Sequence, residues 1–192
     1  HVRRIALTHL RNFSYEKKKD LLLDLITGGS MEDRTYLESV GLAADGSEDE
    51  LWSDYCKLRK ITSAKGWDRE AHLLVWRLHG DSMVQDMVER MLMKDLSVKH
   101  RMELVASLAM NRSLSAFEGM KKIYLDSENE KVKDLAKQFL VKSMVHRWKE
   151  YAVKEFLVSQ KIIDAKPKPL VQVPGLRRDD GTLKVAKVIK LS

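Results

Sequence analysis

The stretch Tyr124-Leu-Asp-Ser-Glu-Asn-Glu-Lys-Val-Lys-Asp-Leu-Ala-Lys-Gln-Phe-Leu140 ends one apolar run, breaks into a short polar turn, and resumes on a second run. In the second run Leu135, Ala136, Phe139 and Leu140 recur at three- and four-residue spacing, which is the period of one helix face. The same period marks Leu21, Leu22, Leu25 and Ile26, and again Leu104, Val105, Leu108 and Ala109. All three prolines, Pro167, Pro169 and Pro174, lie near the C-terminus, so the 166 residues before them can run as helix after helix. Ser30-x-x-Asp33 and Ser47-x-x-Glu50 have the form of capping boxes. Gly28-Gly29, Gly41, Gly46, Gly66 and Gly80 are expected at the breaks between helices. The expectation is about nine or ten helices, most of roughly 10 to 16 residues.

The three stripes share a register. Aligning Asn12, Asp95 and Asp126 brings Asp20, Glu103 and Asp134 into one column. The next columns hold Leu21, Leu104 and Leu135, then Leu25, Leu108 and Phe139, then Ile26, Ala109 and Leu140. Each copy reads as a helix end, a turn opened by Asn or Asp, and a second amphipathic helix. One helical pair cannot bury its own apolar face, so such copies imply stacking. An irregular all-helical domain produces similar stripes, and the segment from Met31 to Trp67 favours it by interrupting the period.

Residues 113 to 143 resemble a HEAT-type repeat. That family favours Asp in the intra-repeat turn, then Val with Arg or Lys and a small residue on the second helix. Asp126, Val132, Lys133 and Ala136 occupy those positions. The likeness is weaker over 82 to 111, where Arg101-Met102 replaces Val132-Lys133 and Val105 replaces Ala136, and weaker again over 2 to 27. The resemblance implies a curved stack of helical pairs that offers a binding surface. It implies no chemistry.

Apolar residues make up 44% of the 192 and charged residues 33%, a balance that suits one globular domain with a real core. No apolar run is long enough to span a bilayer, so a soluble or peripheral protein is expected. His1 is not an initiator residue, and preceding residues with room for a targeting segment are expected. Cys56 is the one cysteine, which fits an intracellular, reducing compartment and half-buried packing beside Trp52, Tyr55 and Leu58.

The net charge of +7 is unevenly placed: the tail from 165 to 192 has seven Lys/Arg against two Asp. The domain division expected is therefore a helical body over 1 to 164 and a basic, proline-containing tail over 165 to 192. Lys166-Pro-Lys-Pro169 should be extended. Asp180-Gly181 between Leu170–Val173 and Thr182–Leu191 signals a hairpin, although Lys184, Lys187 and Lys190 are three apart rather than two or four. Fold class is thus all-α, with stacked antiparallel helical hairpins and a short extended or β-hairpin tail.

Catalytic signatures are missing. There is no Gly-rich phosphate loop and no Gly-x-Ser-x-Gly elbow. The histidines (His1, His9, His72, His79, His100 and His146) form no His-x-x-x-His pair, so no metal site is expected; His72 and His79 fit packing. Trp52, Trp67, Trp76 and Trp148 read as core or interface anchors. No cofactor or small-molecule substrate is expected.

Two functions remain. The first is a non-catalytic scaffold subunit that meets other protein subunits through its helices and a basic arm, with Lys166, Lys168, Arg177, Arg178, Lys184, Lys187 and Lys190 as contacts. The alternative is an RNA-binding protein or ribonucleoprotein component, with phosphate contacts from that tail and from Arg3, Arg4, Arg11, Lys17, Lys18, Lys19, Lys121 and Lys122.

Overall fold

Polar acceptors set where the helices begin. In the computed structural model, which describes residues 2–165, Asp33 accepts from the amides of Thr35 and Tyr36 at 2.9 and 3.2 Å, starting α3 (Arg34–Ala44). Asp68 accepts from Ala71 N at 2.8 Å and starts α5 (Arg69–Leu78). Ser97, Ser113 and Asn129 do the same for α7 (Val98–Leu108), α8 (Leu114–Asp126) and α9 (Glu130–Ser143). These side chains satisfy amides that the helix itself leaves unpaired. The remaining helices are α1 (Val2–Leu10), α2 (Tyr15–Thr27), α4 (Glu48–Arg59), α6 (Val84–Leu92) and α10 (Val153–Ser159). Two single 3-10 turns, Ala64–Gly66 and Asp81–Met83, flank α5. The described residues are all-α, with no strand among them, and none of these helices is long and apolar enough to cross a membrane.

Two of the expected signals act differently. The cap expected at Ser30 is supplied by Asp33, three residues later. Ser47 does sit at the N-cap of α4, but its hydroxyl donates to the Ala44 carbonyl at 2.9 Å rather than accepting from the helix. Gly41 is not a break. It lies inside α3, where the Arg77 guanidinium from α5 occupies the space a Cβ would fill. That close approach lets Arg77 Nε reach Glu38 Oε2 at 2.7 Å.

Apolar faces then set the packing. α1 packs on α3, α3 on α5, α5 on α7, and α7 on α9, forming one row. In the second row α2 packs on α4 and α6 on α8; α4 meets the Asp81–Met83 turn and α6 meets the Ala64–Gly66 turn. The segment from Met31 to Trp67, expected to interrupt the period, holds α3 and α4 and extends both rows. The core between the rows includes Leu7, Leu22, Leu37, Leu51, Leu74, Met87, Leu104, Phe117 and Leu140, all at most 2% exposed.

The three-copy register holds only in part. α6–α7 and α8–α9 enter the rows in the same order, but α1–α2 enters in the opposite order. The column of Leu21, Leu104 and Leu135 shows the consequence, since Leu104 is buried while Leu21 is 49% exposed. Lys18 takes the inward place instead, in line with Leu22, Leu25 and Ile26.

The chain divides into two compact units, one ending at Lys154 and one beginning at Glu155. In the second, Lys161 adopts a positive φ and Ile162 N donates to Leu157 O at 2.9 Å. The hairpin and the tail contact residues expected from Lys166 onward lie outside the described residues.

Gly119 on α8 marks the closest approach of the second row. A Cβ there would meet Val88 Cγ2 of α6 at 2.7 Å, a methyl on a stiff β-branched side chain. Gly119→Ala should therefore destabilise the protein by about 1–2 kcal/mol despite the gain in helix propensity, read as a lower urea midpoint.

Candidate functional site

The first row brings several ionisable side chains together. Arg69 and His72 stand on α5, with Glu103 facing them from α7. Arg69 Nη1 reaches Glu103 Oε2 at 2.9 Å, and Arg69 Nε reaches Glu32 at 3.1 Å. His72 Nε2 lies 3.1 Å from the same Glu103 oxygen, and the neutral ring donates to it. Burial holds the His72 pKa down at about 4 and outweighs the Glu103 charge. Burial also pushes the Glu103 carboxyl up, but Arg69 and His72 together bring it below its ordinary value. Arg69 and His72 converge on one Glu103 oxygen, so the cluster ties α5 to α7.

A second network surrounds Asn111, which is 6% exposed in the turn between α7 and α8. Its Nδ2 donates to the His79 carbonyl at 3.0 Å and to Asp81 Oδ1 at 2.6 Å. Its Oδ1 accepts from the Ser113 amide at 2.8 Å and from the Ser113 hydroxyl at 2.7 Å. Its carbonyl accepts from Trp148 Nε1 at 3.1 Å. His79, at a positive φ past the end of α5, places Nδ1 2.9 Å from Ser107 Oγ, and burial lowers its pKa to about 4.

Several open grooves line the first compact unit, and three of them hold ionisable groups singled out by charge or burial. One, of about 720 Å³, includes Trp52, Cys56, Lys57, Lys60 and Asp86. Burial and then the Asp86 charge push the Cys56 thiol up to about 11, so it is unreactive at neutral pH. Another, of about 630 Å³, sets Arg3 and Arg4 beside Gly28, Gly29 and Ser30. Arg3 is engaged there by the Gly28 carbonyl, and Asp33 shares the lining. The third, of about 710 Å³, is lined by Arg112, His146, Arg147, Lys149, Glu150 and Tyr151.

This third groove is held from both sides. Trp148 is fully buried against Phe117 at 5.9 Å between ring centroids. Tyr151 stacks on Phe117 and donates its hydroxyl to the Arg112 carbonyl at 3.1 Å. Arg147 rests on Met110, with Nη2 3.1 Å from the sulfur. Arg112, Arg147 and Lys149 form no ion pair among the described residues.

The basic residues singled out in the sequence are placed otherwise. Arg11 pairs with Asp45 at 3.0 Å, Lys19 with Glu16 at 3.6 Å, and Lys121 with Glu118 at 2.7 Å. Lys18 is no surface phosphate contact: it is 2% exposed, and burial lowers its pKa despite Asp45 and Glu48 nearby. Lys17 and Lys122 are exposed. They stand on α2 and α8, at opposite ends of the second row, and so do not build one face with each other. The groove residues were missed because Arg112 and Lys149 lie 37 positions apart, and contacts such as Trp148–Asn111 and Tyr151–Arg112 bring their segments together only in the fold. Comparisons of the chain with protein-family models, with curated proteins and with solved structures find no match.

Two outcomes are expected. Asn111→Ala removes a partner from His79, Asp81 and Ser113 at once and should cost about 2–4 kcal/mol in urea unfolding. The folded pKa of His72, about 4, lies below its unfolded value of about 6.5, so the unfolded chain binds more protons between them. Stability is therefore full above pH ~6.5 and lost as pH falls toward ~4, by on the order of 3 kcal/mol for this residue. His72→Gln should flatten that slope in melting measured across pH.

Proposed function

We propose that this chain is a non-catalytic interaction module, a HEAT-like α-solenoid that serves as a subunit of a larger assembly. The observation that carries this reading is the pair of helix rows, in which α1, α3, α5, α7 and α9 each pack on the next. Stacking of this kind leaves the outward side of each row free along its length, and such surfaces grip partners by shape. Exposed apolar side chains on adjacent helices, Val2 and Ile5 on α1 and Leu42 on α3, supply contact material. His72 and His79, whose pKa values burial shifts strongly, serve contacts between helices, which supports a scaffold over an enzyme.

The tail adds a second contact in this reading, with Lys166, Lys168, Arg177, Arg178, Lys184, Lys187 and Lys190 meeting an acidic protein surface. A lone, half-buried thiol suits a reducing intracellular setting. Affinity capture from native lysate with the full chain and with a version ending at Asp164, each with and without nuclease, tests the proposal. Defined protein partners that survive nuclease and are reduced by the truncation are expected. Loss of every partner on nuclease treatment would overturn it.

A further inference from the structure

We infer that the groove of Arg112, His146, Arg147, Lys149, Glu150 and Tyr151 is a binding site for single-stranded RNA, with the cations on phosphates and a base against Tyr151. This stands apart from the interaction-surface reading, because it uses neither the outward helix faces nor the tail.

Charge selects the site. Many basic side chains elsewhere are matched by carboxylates, as in Arg11–Asp45, Arg59–Asp68, Arg90–Asp95 and Lys94–Glu128. The groove gathers Arg112, Arg147 and Lys149 with His146 against the single carboxylate of Glu150, and the three strong bases are unmatched among the described residues. Like charges repel, so a folded chain that holds them side by side gains free energy when an anion fills the space.

The walls choose the kind of anion. Arginine forks and a lysine head suit phosphate oxygens, and they would equally suit the carboxylates of an acidic peptide. A docked peptide also needs a place for apolar anchors, but no aliphatic residue is among the described residues that line this groove. Its non-charged surface is aromatic. Tyr151 is half-buried, backed by Phe117 and fixed through its hydroxyl to the Arg112 carbonyl, so the ring keeps its place without a ligand. A rigid ring beside a row of cations is the arrangement that takes a base and its flanking phosphates, without needing a particular base. The volume of about 710 Å³ lies within the usual range of ligand sites.

The side chains of Arg112 and Lys149 are exposed and unmatched, so changing them should spare the fold. The full chain is titrated into a fluorescein-labelled 12-residue oligouridine, and fluorescence anisotropy is followed across salt. The double variant R112E/K149E is compared with K99E/K131E, which makes the same change of net charge at exposed sites outside the groove. We expect the groove variant to bind at least tenfold more weakly and to lose about 1.4 from the salt slope, while the control stays within about twofold of wild type. Equal losses in both variants, wild-type affinity in the groove variant, or no binding by the unaltered chain would each overturn the inference. A 12-residue oligoglutamate that competes as well as unlabelled oligouridine would also overturn it, in favour of an acidic peptide. Photocrosslinking of 4-thiouridine RNA to the unaltered chain gives an answer independent of variant folding. Adducts on the peptide that carries His146 and Tyr151 are expected, and adducts confined to other peptides would sink the site.

Discussion

A single buried amide governs how this helical body closes. Asn111 reaches the end of α5 through the His79 carbonyl, the start of α6 through Asp81, and the start of α8 through Ser113. A buried donor or acceptor left without a partner costs about as much as a strong contact gains, so each of these bonds constrains where its segment can lie. The same turn receives Trp148 through its carbonyl, which fixes the chain after α9. One side chain of modest size thereby sets the geometry of both helix rows near the α7–α8 turn, and with it the walls of the basic groove.

The electrostatic layout follows from that packing. Polar side chains pointing between neighbouring helices find partners because the helix period repeats them at matching heights. Arg69 with Glu103, Arg77 with Glu38, and Tyr15 with Asp54 are of this kind. Turns place side chains less regularly: Arg11 and Lys94 find Asp45 and Glu128 there, and others find no partner among the described residues. Arg112 and Lys149 sit in turns, and their charge is left over for something outside the chain.

Much of the local structure was legible in the sequence because helix signals are local. The 3.6-residue period places α2, α5, α7 and α9 where Leu22, Leu74, Leu104 and Leu140 bury. The acidic and hydroxyl residues before them mark most starts. What the period does not carry is which row a helix joins. Amphipathic helices look alike whichever side they approach from, so the alignment of α1–α2 with the later pairs put Leu21 inward, and the reading of Lys18 as a phosphate contact put it outward, the reverse of what packing does. Lysine can take such an inward place because its long stem is apolar. Gly41 misled for a related reason: a glycine that ends a helix and one that admits a crossing arginine look the same in one dimension. The basic groove was invisible because its residues meet only in three dimensions.

Bonds between helices of the same row join residues at similar, modest distances along the chain. His79, just past α5, to Ser107 spans 28 positions, Arg69 to Glu103 spans 34, and Tyr15 to Asp54 spans 39. Each closure thus costs a similar and small loop entropy, and none has to wait for the ends of the chain to meet. Folding can begin at any neighbouring helices and spread outward, quickly and with little penalty for added length. The same logic lets an end helix such as α1 open while the helices tied to Asn111 hold.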